Sequence, residues 1–219
     1  DLHCGGVDNI FPHHTNEIAQ SESYLGHSWC KYWFHVHHLN DKSGKMSKSK
    51  GDFLTVSLLE EKGYDPIVYR LFCLQSHYRK PLEFSYEVLD QMTAAYNKLV
   101  KRIAELKEDG IVDEQVFADY RRRFEDALCN DLNTASAITV IYDLLKADCN
   151  DATKRTLIGS FDEVLSLNLL TAHEAKQAQE SEGVDAELEA YVLEKIEERK
   201  QAKKAKDFAK ADAIRAELL

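Results

Sequence analysis

The run Lys45-Met46-Ser47-Lys48-Ser49, set between Gly44 and Gly51, gathers ammonium and hydroxyl groups into one loop. Lysines neutralise a polyphosphate, while serine hydroxyls and backbone N–H groups donate hydrogen bonds to it. A solvated basic turn has the same composition, so the reading depends on the order of the residues and on their neighbours. A second cluster opens the chain: His3-Cys4-Gly5-Gly6-Val7-Asp8-Asn9, followed by Phe11-Pro12-His13-His14-Thr15-Asn16-Glu17. Adjacent glycines let a ligand approach the backbone closely. Asp8, two residues beyond Gly6, is placed to accept hydrogen bonds from a ribose. Pro12 marks a helix start, which puts His13 and Glu17 one turn apart on one face. An imidazole and a carboxylate so spaced can share a zinc ion or simply form a surface hydrogen bond, and two ligands are too few for a complete site. Cys4 and Cys30 are available as further ligands, with no spacing that requires them.

The elements that must hold these residues change character near residue 53. Before it come glycines, histidines and short apolar runs such as Trp33-Phe34; after it, helical signals dominate. Asp65-Pro66 is an N-cap with proline at the first helical position, leading into Ile67, Val68, Leu71 and Phe72. Ser85 caps a long helix whose apolar stripe runs through Leu89, Met92, Tyr96, Leu99, Ile103 and Leu106, and Gly110 is expected to end it. Further helices are expected over about 113–128, 134–148, 151–166 and 185–219, with Asn133 and Asp151 as caps and an interruption near Asp207. Tyr142, Phe161 and Phe208 read as core. No 20–50-residue period repeats. The expected architecture is therefore part of an α/β domain followed by an all-α region, divided as 1–52, 53–108, 109–180 and 181–219.

Composition narrows the function classes. The chain has 219 residues, 44% hydrophobic and 30% charged, with ordinary aromatic content, which excludes disordered and collagen-like readings. No apolar run reaches the ~20 residues of a membrane-spanning helix. The net charge is −10, yet residues 1–102 balance at 12 basic and 12 acidic side chains, so local patches rather than the total decide about nucleic acid. Five scattered cysteines without a CxxC pair give no disulfide framework, and a reducing cytoplasm is expected. The start at Asp1, with no initiator Met or signal peptide, is expected of a fragment of a longer protein.

Taken together these residues resemble cysteinyl-tRNA synthetases. Lys45 to Ser49 matches the lysine–serine signature shared by many class I aminoacyl-tRNA synthetases. Phe11-Pro12-His13-His14-Thr15-Asn16-Glu17, continuing to Ser21, is far narrower and typical of the cysteine enzymes. Tyr32-Trp33-Phe34-His35, Ser76-His77-Tyr78-Arg79 with Pro81-Leu82, Asp131-Leu132-Asn133-Thr134, and Arg199 to Arg215 also look like family landmarks. Lys50, Asp52 and His37-His38 depart from the usual residues, although the neighbouring anchors survive.

The resemblance implies the C-terminal part of a Rossmann-like class I catalytic domain, followed by a helical stem-contact and anticodon-binding bundle. It implies that His13 and Glu17 are zinc ligands whose partners lie upstream of this chain. It further implies that Gly6, Asp8 and Lys48 bind ATP with Mg2+, and that Lys45 and Lys48 stabilise the departing pyrophosphate. Cysteine would pass through an adenylate to tRNA(Cys), with Arg199, Lys203 and Lys206 facing RNA. The expected partners are tRNA(Cys), ATP and L-cysteine, without a membrane, and the expected state is a monomer. The His-Ile-Gly-His signature is not in the sequence, so the chain alone is expected to be inactive. Two rivals are a mycothiol-pathway cysteine ligase, against which the long basic C-terminal helix argues, and a non-catalytic RNA-binding paralogue, against which the intact lysine–serine run argues.

Overall fold

The computed structural model describes residues 1–41, 44–45, 54–107, 110–173, 186–204, 210 and 212. Strand β1 (Leu2–Gly6) runs through a 3-10 turn (Val7–Asn9) and a further turn (Ile10–His14) into helix α1 (Thr15–Leu25), and the chain returns as β2 (Tyr32–Val36). The two strands are parallel, with Leu2 opposite Tyr32 and Gly6 opposite Val36. This is a strand–helix–strand crossover, in which ligands bind beyond the carboxyl ends of the strands. Helix α1 stops at Gly26, whose φ of 74° satisfies a left-handed C-cap.

A second, three-stranded sheet has the order β4 (Gly44–Lys45), β3 (Leu39–Asp41), β5 (Leu82–Glu83). Here β3 is antiparallel to β4 and parallel to β5. A larger doubly wound sheet is not seen among the described residues.

From residue 55 onward the helix starts follow from local chemistry. Thr55, Asp65, Ser85, Asp113, Asn133 and Asn150 each accept a backbone N–H with their side chain. They start α2 (Val56–Glu61), α3 (Pro66–Leu74), α4 (Tyr86–Ala104), α5 (Glu114–Cys129), α6 (Thr134–Lys146) and α7 (Asp151–Leu165). The cap of α7 is Asn150 rather than the expected Asp151, because Asn150 holds the extended backbone and its Oδ1 accepts from Thr153 N at 2.8 Å.

Helix α4 ends at Ala104, before the expected Gly110; the Leu106 N–H bonds Ile103 O, which tightens the last turn. The α4 stripe is buried at Leu89, Tyr96, Leu99 and Ile103, with Val100 beside it. It joins Val68, Leu71, Ile141, Leu144, Leu157 and Ile158 in one core, where Phe161 lies parallel to Phe124 at 4.2 Å. Buried Tyr96 directs its hydroxyl to Leu167 O at 2.6 Å, so its polar end is satisfied. Tyr142 is half-buried, and Phe208 lies outside the described residues.

Residues 1–171 form one compact unit, containing the first two expected regions and most of the third. A second unit begins at Ala172 and carries α8 (Ala186–Lys204). No described helix is long and apolar enough to cross a membrane.

Candidate metal and nucleotide site

Glu17 lies in the first turn of α1, and three imidazoles converge on its carboxylate. His3 Nε2 is 2.7 Å from Oε2, His13 Nε2 is 3.4 Å from Oε1, and His14 Nε2 is 4.0 Å from Oε2. The spacing of His13 and Glu17 is as expected, because His14 already has helical backbone ahead of Thr15. His13 is largely exposed, whereas His14 is buried.

His3 arrives from β1, which the crossover sets beside the start of α1. That arrangement makes His3, His14 and Glu17 a group whose ligand atoms all lie within 4.8 Å of one another. Two imidazole nitrogens and a carboxylate oxygen are donors that zinc accepts, and catalytic sites commonly use three protein ligands. The chain therefore fits a metal through donors the sequence pattern alone did not bring together. Cys4 is exposed and Cys30 hydrogen-bonds Tyr32 O, so neither joins this group.

The histidines are embedded in an aromatic wall. His14 Nδ1 lies 2.8 Å from His35 Nε2, one ring donating and the other accepting. Alternation along β2 turns Trp33 and His35 toward the histidines, while Phe34 on the other face stacks on Tyr78 at 4.2 Å. Burial, with His3 close by, lowers the His14 pKa below the ordinary imidazole value. Trp29 meets His3 and Trp33 edge-on, and its buried indole N–H has no hydrogen-bond partner among the described residues.

The two glycines make room for the chain's own side chains. A Cβ on Gly5 would stand 2.7 Å from His14 Cε1 and 2.9 Å from Asn9 Nδ2. One on Gly6 would stand 2.5 Å from Asp8 Oδ1. Asp8 is half-exposed in the 3-10 turn at the end of β1, 3.6 Å from His38 Nε2. Sequence reading missed His3, His14 and His35 as site residues. The one signal that pointed to them was the excess of histidine before residue 40.

Lys45 ends β4, opposite Asn40 of β3. Met46, Ser47, Lys48 and Ser49 lie outside the described residues, as does Lys206. Arg199 and Lys203 belong to α8, and the buried Arg199 Nε has no hydrogen-bond partner among the described residues.

Residues 1–94 match the model for the class I (C) tRNA synthetase catalytic domain, and residues 123–169 match the DALR domain. The whole chain aligns at 39% identity with 44% of cysteine-tRNA ligase 1 of Burkholderia lata. It aligns at 38% identity with 47% of the cysteine-tRNA ligase of Novosphingobium aromaticivorans. All of it also aligns, at 39% identity, with 48% of the Bacillus velezensis enzyme of the same name. The chain thus spans about half the length of the curated relatives it matches.

Proposed function

We propose that this chain, which belongs to the cysteinyl-tRNA synthetase family, is the part of a cysteine-tRNA ligase that recognises the amino acid's thiol and completes the ATP site. The observation that carries the reading is the carboxylate of Glu17 set among His3, His13 and His14 beside β1. His13 and Glu17 would hold the zinc ion, and His3 and His14, whose ligand atoms group with the same carboxylate, would be further donors from this chain. Zinc bound there would supply a borderline-soft Lewis acid that favours a thiolate over a serine hydroxyl.

The remaining roles belong to side chains of this chain. Asp8 accepts the ribose hydroxyls of ATP beside Gly6. Lys45 and Lys48 neutralise charge on the pyrophosphate as the cysteine carboxylate attacks the α-phosphate, with Mg2+ on the phosphates. The cysteinyl-adenylate then acylates tRNA(Cys), whose phosphates meet Arg199, Lys203 and Lys206. By itself this chain, which spans about half the length of its relatives, catalyses no exchange.

Zinc titration of the chain with a competing chromophoric chelator tests the metal arm. Glu17→Gln should weaken binding at least tenfold, and unchanged affinity would count against the ligand assignment. Cysteine-dependent ATP–pyrophosphate exchange by the complete polypeptide, absent with serine, tests the substrate.

A further inference from the structure

The turn between α5 and α6 has an unusual backbone and an unusual set of partners. Asp131 and Leu132 are both left-handed, with φ of 56° and 53°, a conformation that non-glycine residues adopt only against a penalty. That backbone presents the Asp131 carboxylate to three side chains in a row. Arg79 donates Nε at 2.6 Å and Nη2 at 3.4 Å, the Tyr78 hydroxyl donates to Oδ1, and His77 Nε2 stands 3.8 Å from Oδ2. The Arg79 guanidinium also lies over the Tyr78 ring at 5.1 Å.

The other side of this segment reaches the strands. The Tyr78 ring stacks on Phe34 of β2, and Tyr78 O accepts the His37 N–H at 2.8 Å. Leu82 N bonds His38 O at 3.2 Å, where β5 pairs with β3. β3 in turn fixes β4, with Asn40 opposite Lys45. Beside this path lies a cavity of about 360 Å³, lined by Phe34, His37, Cys73, Tyr78 and Leu132 among others. The 77–80 segment is thus held from the strand side by Phe34 and His37 and from the helical side by Asp131.

We propose that Asp131 is a positioning residue for the lysine–serine loop: through Arg79 and Tyr78 it sets where β3 and β4 lie, and hence where Lys45 starts the loop. The helical region and the strands from which that loop starts are thereby held together. The inference rests on the ligase reading. Arg79 and Asp131 are both exposed, so as an ion pair alone they would contribute little to stability; the proposed effect is on the position of the strands.

The discriminating variant is Asp131→Asn, because asparagine tolerates the left-handed backbone while losing the charge. In the complete polypeptide, kcat for cysteine-dependent ATP–pyrophosphate exchange should fall about tenfold, as expected of a small misplacement arising away from the chemistry. KM for cysteine should hold, and Arg79→Lys should fall between parent and Arg79→Ala. Amide hydrogen exchange at His37 to Asn40 should speed up without a matching drop in thermal midpoint. An unchanged kcat, or a loss that only tracks the unfolded fraction, overturns the proposal. If the unsubstituted polypeptide shows no exchange activity, the ligase reading fails instead; the amide protection at His37 to Asn40 then decides the coupling, and unchanged protection overturns it.

Discussion

The unit formed by β1, α1 and β2 buries polar rings against one another, whereas helices α3 to α7 bury hydrocarbon and use polar atoms mainly at their ends. Among the described residues, two buried polar side chains make the contrast concrete. Thr153 in α7 donates to Asn150 Oδ1 and accepts from Asp113 N, both at 2.8 Å, closing a cap and a loop with nothing left over. His14 is as deeply placed, yet its partners are His35 and, farther off, Glu17, groups whose hydrogen-bonding roles change with protonation or with a metal. Buried polarity that completes a cap stabilises the fold. Buried polarity that remains chemically adjustable is what a reactive site retains, usually at some expense of stability.

The largest expected effect lies on the hydrocarbon side of that contrast. Phe161 is 1% exposed and stacks on Phe124. Phe161→Ala should cost roughly 3–5 kcal/mol in urea unfolding, from lost transfer energy and the cavity left behind. Zinc affinity measured well below the unfolding midpoint should stay at the parent value. A variant that lost metal affinity while still folded would break the separation between the two regions.

How much of this could be read from the sequence follows the same line. The caps at Asp65, Ser85 and Asn133 and the α4 stripe were legible because each is written within one or two turns of chain. Asn150 was displaced by its neighbour Asp151 because both are good caps and only backbone geometry decides between them. Gly110 looked like a helix end but sits in the following loop, with φ of 132° and its Cβ position 3.2 Å from Ala152 Cβ. The candidate site was legible only as far as its local pair, His13 and Glu17. His3 reaches Glu17 across 14 residues and His14 reaches His35 across 21, through a strand–helix–strand crossover that no local pattern encodes. The contact of Arg79 with Asp131 spans 52 residues and was invisible for the same reason.

Two glycines sharpen the comparison at intermediate size. Gly5→Ala would drive a methyl into the His14 ring and Asn9, so it should destabilise by about 1–3 kcal/mol and shift the His14 and His35 NMR signals. At Gly26 a methyl meets nothing within 4 Å, and the penalty is the left-handed φ of 74° alone. Gly26→Ala should therefore cost about 1 kcal/mol and leave the histidine signals in place. Equal disturbance of those signals by both variants would mean that the wall is not held by the close approach at Gly5.

The smallest effect concerns thiols and needs no substitution. Cys4 in β1 and Cys129 at the end of α5 are both exposed. Burial pushes the Cys73 thiol in α3 above its ordinary value, outweighing the Tyr69 hydrogen bond and the nearby Arg70, and burial also raises Cys149. The thiolate is the reactive form, so a raised pKa leaves less of it at any pH below that value. Mass-spectrometric labelling with iodoacetamide at pH 8 should modify Cys4 and Cys129 at least several-fold faster than Cys73. The gap should narrow as the pH rises toward the Cys73 value, since the thiolate fractions then converge and access alone separates the sites. A gap that stays constant with pH would assign the protection of Cys73 to access alone. Fast labelling of Cys73 at pH 8 would mean that the cavity it lines opens readily to solvent, and with it the packing behind Tyr78 on which the strand and helical regions meet.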